Sequence, residues 1–215
     1  MKHVNDMNVG VSSTSATLRR VAMRRPGALL SADHERWHYV KPVNADALSK
    51  QYDRFVELVE ATGTEIVWFP ETDDDLADSV FTYDPSFVVP GGAVVLRPGK
   101  PLRAGEADLH AAFYGGEGIP ILGRIEAPGT FEGGDCFWLD NTTLAVGRGF
   151  RTNQLGINQM ASAIKIASST RKRVGLRATS VTPPITRPSS TTDAVQLEKG
   201  SGEVLIKIRV PALTA

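Results

Sequence analysis

Two helical segments alternate with short strand-like runs across most of this 215-residue chain. The first helix is predicted to begin after Asn44, a residue type common at helix N-caps, and to end at Gly63. Within it, apolar residues recur at the spacing of an amphipathic helix, at Leu48, Tyr52, Phe55 and Val59. The second helix is predicted over residues 105–117, with Gly118 as its stop.

The strand-like runs are rich in β-branched and aromatic residues and are bounded by Gly, Pro or Asp. They predict a hairpin around Asp140 and Asn141 and further strands over residues 64–69, 79–83, 93–96 and 119–122. The order strand, strand, helix, strand recurs at intervals of roughly 50 to 60 residues. This order is typical of a repeated α/β unit rather than of a doubly wound parallel sheet.

The two ends of the chain differ from its middle in composition. Residues 1–20 are polar and lack a hydrophobic period, which predicts a flexible leader. Beyond about residue 160, Ser, Thr, Arg and Pro accumulate, and only residues 203–210 alternate as a strand does. We therefore expect a folded domain over residues 21–160 and a divergent tail over residues 161–215, either disordered or translated out of frame.

Charge, cysteine content and missing motifs exclude several classes of function. The 24 Lys and Arg residues balance 24 Asp and Glu residues, so no net field draws the chain to nucleic acid or to an anionic membrane. The single cysteine and the lack of an apolar leader segment favour a cytoplasmic location. Dinucleotide-binding, phosphate-loop and HExxH motifs are absent, so neither an organic cofactor nor a metal ion is expected.

Two carboxylates flank the predicted strand at residues 79–83. Asp78 and Asp84 are separated by an even number of positions, which places both side chains on one face of a strand. A planar guanidinium group donates hydrogen bonds around its edge, and carboxylates accept them in pairs. A guanidino ligand therefore fits this pair, although Asp78 capping a turn and Asp84 starting one would explain the same spacing.

Two later segments add polar groups. Glu132 and Asp135 bracket two glycines before a hydrophobic strand, where a loop can deliver side chains to a site; a surface turn with positive φ is the alternative. Residues 147–153 carry arginines able to hold a substrate carboxylate. For Thr152 and Asn153 in that segment, a helix N-cap is the favoured interpretation.

Taken in order, these three segments resemble the guanidino-group-modifying superfamily, also called penteins. Residues 78–96 and the sequence RPGKPLRAGE that follows are most similar to dimethylargininases, and the resemblance extends over about residues 21–160. It implies an α/β propeller of five ββαβ blades, of which this chain would hold about three. It also implies a small-molecule partner, a guanidino amino acid such as arginine or methylarginine, with a homodimer left open.

The resemblance implies roles for individual residues. Asp78 and Asp84 correspond to the carboxylates that hold the guanidinium, Arg103 and Arg151 to arginines that bind the substrate carboxylate, and Glu132 to the acid that orients a catalytic histidine. In the family, a cysteine thiolate attacks the guanidinium carbon while the histidine transfers protons. This chain has Tyr83 where many dimethylargininases carry an acidic residue, which leaves the substrate open.

The chain departs from the family at the catalytic Cys and His. All four histidines, His3, His34, His38 and His110, precede Glu132, whereas the family's histidine follows it. Cys136 is interpreted as a buried strand cysteine, His38 as a partly buried strand residue, and His110 as lying on the solvated side of the second helix.

These features predict a dimethylargininase-like hydrolase of the guanidino C–N bond that is inactive as written. Three alternatives remain open. The chain is a non-catalytic guanidino-binding protein, it is a truncated or frameshifted gene product, or the family reaction is that of an amidinotransferase or an arginine deiminase.

Overall fold

The computed structural model describes residues 10–72, 75–174, 196–199 and 204–209, with side chains described as far as residue 165. The described residues form helices α1 (Ala45–Ala61), α2 (Glu106–Gly116) and α3 (Gln154–Val174), and strands β1 (Arg20–Met23), β2 (Glu65–Trp68), β3 (Ser86–Val89), β4 (Gly92–Val95), β5 (Ile121–Arg124), β6 (Cys136–Asp140), β7 (Thr143–Arg148), β8 (Gln196–Lys199) and β9 (Val204–Arg209). Their sheets have the strand orders β1-β2, β3-β4-β5 and β6-β7-β9-β8. No helix in these ranges combines the length and the apolar composition needed to cross a membrane.

Two predicted elements, the first helix and the strand that follows it, are confirmed around the first sheet. The helix expected after Asn44 is α1, and the Asn44 side chain accepts a hydrogen bond from the Ala47 N–H at 2.9 Å. Gly63 follows the helix with φ of 78°, a conformation that glycine adopts without steric strain. The run at residues 64–69 contains β2, which pairs in parallel with β1.

The second sheet is one ββαβ unit. β3 and β4 form an antiparallel hairpin, α2 crosses over the sheet, and β5 returns parallel to β4. The strand predicted at residues 93–96 and the helix predicted at residues 105–117 are therefore confirmed. The strand predicted at residues 119–122 lies slightly further along the chain, as β5.

The strand predicted at residues 79–83 is wrong. Residues Ala77–Val80 form a 3₁₀ turn, and the strand of this region begins only at Ser86. The Ser79 hydroxyl donates to the carbonyl of Leu76 at 2.5 Å, a local bond that competes with extended backbone. Asp78 and Asp84 consequently occupy turns, and the argument from strand spacing does not apply to them.

The third sheet contains the predicted hairpin. β6 and β7 pair antiparallel, and the turn is closed by Asp140, which accepts from the Thr142 N–H at 2.8 Å. β9 pairs antiparallel with β7, which confirms the strand predicted at residues 203–210. The first nine residues and most of residues 175–215 lie outside the described residues.

The main hydrophobic core lies where β3, β4, β6 and β7 meet α3. Its buried side chains include Leu96, Phe131, Trp138, Leu144, Ile157 and Met160. The core fixes the positions of the loops that follow β4 and precede β6 and α3, which carry the site residues.

Two predictions about histidines are wrong. His110 is fully buried on the sheet side of α2, where its Nδ1 lies 2.8 Å from the Ser86 hydroxyl and its ring faces Phe69 at 4.5 Å. His38 is exposed in a turn with φ of 60°, because Asp33 draws the preceding backbone into a turn by accepting from the Glu35 N–H. The burial of His110 does not follow from local pattern, since its partner Ser86 is distant in sequence. The turn at His38, in contrast, is set by Asp33, which is close in sequence.

His110 is expected to make folding sensitive to acid. Burial, with Arg103 and Arg24 nearby, lowers the pKa of His110 to about 3, so the folded state resists its protonation. The contribution is complete above the unfolded pKa, about 6.5, and is lost as pH falls toward the folded pKa. Relative to His110→Phe, the wild type should lose about 3 kcal/mol of unfolding free energy between pH 6.5 and pH 4.

Urea unfolding of both proteins across this pH range measures the difference, and groups common to both proteins cancel. Parallel pH profiles would contradict the assignment.

Candidate functional site

The segment from Gly99 to Arg103 joins β4 to α2 and brings three donors to the predicted acidic residues. Its Pro101–Arg103 stretch is a 3₁₀ turn that leads directly into α2. Gly99 donates its backbone N–H to Glu132 Oε1 at 3.0 Å, and Lys100 and Arg103 pair with Asp78 and Asp84. One connecting segment thus contacts every predicted carboxylate of the site.

Asp78 uses both carboxylate oxygens within the protein. Its Oδ1 accepts from the Tyr39 hydroxyl at 2.6 Å, and its Oδ2 accepts from Lys100 Nζ at 2.7 Å. Only 6% of Asp78 is exposed. Burial and the bond to Asp78 raise the pKa of Tyr39, so Tyr39 stays protonated and remains a donor.

Arg103 is a buried cation between two acids. Its Nη1 donates to Asp84 Oδ2 at 2.8 Å, while Nε and Nη2 donate to the two oxygens of Glu106 at 2.9 and 2.8 Å. Burial raises the pKa of Glu106 to about 7, although its hydrogen bonds with Arg103 act in the opposite direction. Arg103 stays charged in this pair, and Glu106 is the member that can titrate.

Glu132 and Asp135 share Arg151. The Arg151 guanidinium donates to Glu132 Oε2 at 2.9 Å and to Asp135 Oδ1 at 2.6 Å. Thr152 links the same two residues, since its hydroxyl donates to Asp135 and accepts from the Glu132 N–H. Asn153 caps α3 by accepting from the Gly156 N–H at 2.9 Å, which confirms the cap prediction for Asn153. The cap prediction for Thr152 is wrong, because its hydroxyl bonds to Asp135 and Glu132.

The two glycines between Glu132 and Asp135 allow close backbone contact. A Cβ on Gly133 would lie 1.9 Å from the carbonyl oxygen of Tyr83, so no larger residue fits. The N–H of Gly133 donates to the backbone oxygen of Asp84 at 3.1 Å. Neither glycine has positive φ, so the surface-turn alternative is wrong and the close-approach interpretation is confirmed.

Cys136 begins β6 and is buried, as interpreted from the sequence. Its Sγ donates to the carbonyl of Gly133 at 3.3 Å, and burial raises the pKa of the thiol. A thiol with a raised pKa holds little of the reactive thiolate. Across the described residues, no three His, Cys, Asp or Glu side chains are grouped so that they could hold a metal ion.

The structure joins the five predicted site residues into one network of hydrogen bonds, through the Gly99–Arg103 segment and the Gly133 loop. The network also contains residues to which sequence reasoning assigned no role, namely Tyr39, Lys100 and Glu106. Lys100 and Glu106 stand within RPGKPLRAGE, the segment that resembles dimethylargininases, so the resemblance was a usable signal for them. No local signal could have found Tyr39, because it lies 39 positions from Asp78.

Comparison with known proteins identifies the family of the chain. The family model described as arginine deiminase matches residues 70–177, half of the chain, a range that contains all five predicted site residues. The chain belongs to the arginine deiminase family, within the pentein superfamily of guanidino-modifying proteins. The resemblance seen in the sequence is thereby confirmed.

Two relatives are dimethylarginine dimethylaminohydrolases. The protein of Pseudomonas aeruginosa is 30% identical over 151 residues, which are 68% of this chain and 57% of the relative. The protein of Streptomyces coelicolor is 32% identical over 154 residues, which are 68% of this chain and 56% of the relative. The chain therefore spans a little over half the length of these relatives.

Solved structures define the fold. A mutant of the Pseudomonas aeruginosa enzyme complexed with citrulline has a TM-score of 0.57 at 28% identity, and the match covers 69% of this chain and 57% of that one. A mutant of AgrE in complex with L-arginine has a TM-score of 0.56 at 18% identity, covering 71% of this chain and 22% of that one. The fold is the α/β fold of these pentein structures.

Proposed function

We propose that this chain holds the guanidinium-binding part of a dimethylargininase-like site, with Asp84 as the principal carboxylate. One observation carries this proposal: Asp84 is anchored on one side and retains acceptor capacity on the other. Its Oδ2 is held by Arg103, whereas its Oδ1 accepts, among the residues that the structure describes, only from the Gly134 N–H, at 3.3 Å. A carboxylate oxygen accepts more than one hydrogen bond, so Asp84 can still bind a planar cation.

The arginines take different roles in this proposal. Arg103 is nearly fully buried and donates hydrogen bonds to Asp84 and Glu106. In this proposal it positions Asp84, whereas the resemblance implied that it binds a substrate carboxylate. Arg151 keeps the implied role, because 43% of its side chain is exposed while Glu132 and Asp135 hold its orientation. The substrate class is arginine or methylated arginine, bound at both of its charged ends.

We propose a partial propeller for the fold, with about three blades over residues 21–160. The β1-β2 pair, the ββαβ unit of β3, β4, α2 and β5, and the β6-β7 hairpin support this count. The flexible leader over residues 1–20 and the divergent tail over residues 161–215 remain part of the same proposal.

A second candidate, binding without turnover, is favoured by the state of the possible catalytic groups. The family chemistry needs a thiolate nucleophile and a histidine that exchanges protons near neutral pH. Cys136 is buried with a raised pKa, and the pKa of buried His110 is lowered to about 3. Glu132, the residue expected to orient a histidine, accepts from Gly99 and Arg151. We therefore propose that Asp84 and Arg151 bind the guanidino compound and that the chain does not cleave it.

Arginine binding by Asp84→Asn tests the proposal. The amide keeps the shape of the carboxylate but loses its charge, so the affinity for arginine should fall about 30-fold or more. Asp140→Asn is the matched control, because Asp140 is exposed and its side chain accepts from Thr142 within its own turn. Isothermal titration calorimetry measures both variants, and equal affinities would refute the assignment of Asp84.

Turnover is tested separately by incubating the wild type with asymmetric dimethylarginine and measuring released citrulline. Release of citrulline by the purified chain would contradict binding without turnover.

A further inference from the structure

The ammonium group of Lys100 lies in a cage of aromatic and anionic groups. Its Nζ is 4.6 Å from the ring centre of Trp37 and 5.3 Å from that of Tyr39. It donates to the Trp37 carbonyl oxygen and to Asp78 Oδ2, both at 2.7 Å. The two rings are stacked with their planes 22° apart, so they form a wall beside one cation.

This arrangement has the chemistry of a receptor for organic cations. Aromatic faces attract ammonium and guanidinium groups, and a buried carboxylate adds a charge-assisted hydrogen bond. The cage is rigid, since Trp37 is 1% exposed and Tyr39 is tied to Asp78. Its occupant is less constrained, because 25% of the Lys100 side chain is exposed to solvent.

We propose that Lys100 is a tethered competitor that occupies a binding cage for alkylammonium and alkylguanidinium ions formed by Trp37, Tyr39 and Asp78. An incoming cation reaches Asp78 only by displacing the Lys100 ammonium. Lys100 thereby determines how strongly Asp78 contributes to cation binding, while Asp84 remains available. The inference rests on the proposed function only for the identity of the natural ligand as a guanidino compound.

Chemical rescue of Lys100→Ala tests the cage directly. The substitution removes the side chain beyond Cβ, which is three carbons and the ammonium group, and n-butylammonium, one carbon longer, is the soluble probe. Calorimetry should show n-butylammonium binding at least about tenfold tighter to Lys100→Ala than to the wild type, because the tethered competitor is gone. Lys41→Ala, at an exposed lysine, should behave as the wild type.

Two further comparisons identify the contacts. The neutral probe n-butanol should not bind Lys100→Ala, and adding Asp78→Asn to that variant should abolish binding of n-butylammonium. Equal binding of the two probes, or no gain over the wild type, would overturn the proposal.

A measurement on the wild type keeps the proposal testable if Lys100→Ala does not fold. The caged Lys100 should undergo reductive methylation more slowly than Lys41, as followed by peptide mass spectrometry. Excess n-butylguanidinium should speed the labelling of Lys100 about threefold by displacing it and should leave Lys41 unchanged. A Lys100 rate that does not respond would overturn the proposal.

The two proposals fail separately. Rescue by n-butylammonium without any arginine binding in the wild type would support the cage and refute the proposed function. Arginine binding that depends on Asp84, without rescue and without faster labelling of Lys100, would support the proposed function and refute the cage.

Discussion

Arg103→Met is expected to lower the free energy of unfolding by about 3 to 5 kcal/mol at alkaline pH, where Glu106 is ionised in the wild type. The substitution keeps an unbranched side chain but leaves Glu106, which is fully buried, without its cation. Asp84 loses the same partner. An unpaired buried charge is far more costly than a missing contact, so the effect should be large. Urea unfolding followed by circular dichroism measures it.

The dependence of this effect on pH identifies Glu106 as its source. Without the opposing effect of Arg103, the pKa of Glu106 should rise above its wild-type value of about 7. A carboxyl group with a raised folded pKa contributes stability below its unfolded pKa, about 4.5, and that stability is lost as pH rises toward the folded pKa. Because Glu106 is protonated in both folded proteins below about pH 7, the deficit of Arg103→Met should be nearly constant between pH 4.5 and pH 7 and should grow as pH rises above 7.

A double variant and a surface control complete the test. Adding Glu106→Gln to Arg103→Met should restore much of the lost stability, because the amide carries no charge. Arg54→Met removes an exposed ion pair with Glu57 and should leave the stability almost unchanged. A deficit that is independent of pH and is not relieved by Glu106→Gln would contradict this explanation.

Gly133→Ala is expected to lower the free energy of unfolding by about 3 kcal/mol or more. The new Cβ would lie 1.9 Å from the Tyr83 carbonyl oxygen, a backbone atom that cannot turn away as a side chain can. Relief of the clash requires the turn before Asp84 to separate from the Glu132 loop, which breaks the bond from the Gly133 N–H to Asp84 O. Arginine affinity should therefore fall together with stability.

Gly149→Ala is the matched control, because a Cβ at Gly149 would meet no atom within 4 Å. Thermal unfolding and arginine titration of the two variants make the comparison. Similar melting temperatures for both would show that the close contact at Gly133 is not a constraint on the fold.

Local sequence signals determined several elements of this protein. Asn44 and Gly63 bound α1 because a side-chain cap and a positive-φ glycine act within one turn of the helix ends. The hairpin at Asp140 and β4 follow from short hydrophobic runs whose partners are close in sequence. The order of the three polar segments that contain the predicted site residues also indicated the family, because the residues that define the family's motifs lie within these segments.

The tertiary structure alone decided how the site is connected. The Tyr39 and Lys100 bonds to Asp78 span 39 and 22 residues, and the Gly99 bond to Glu132 spans 33. Such pairings depend on which loops the core brings together, so no local pattern encodes them. The burial of His110 has the same origin, because the energy of a polar group depends on partners supplied by distant segments.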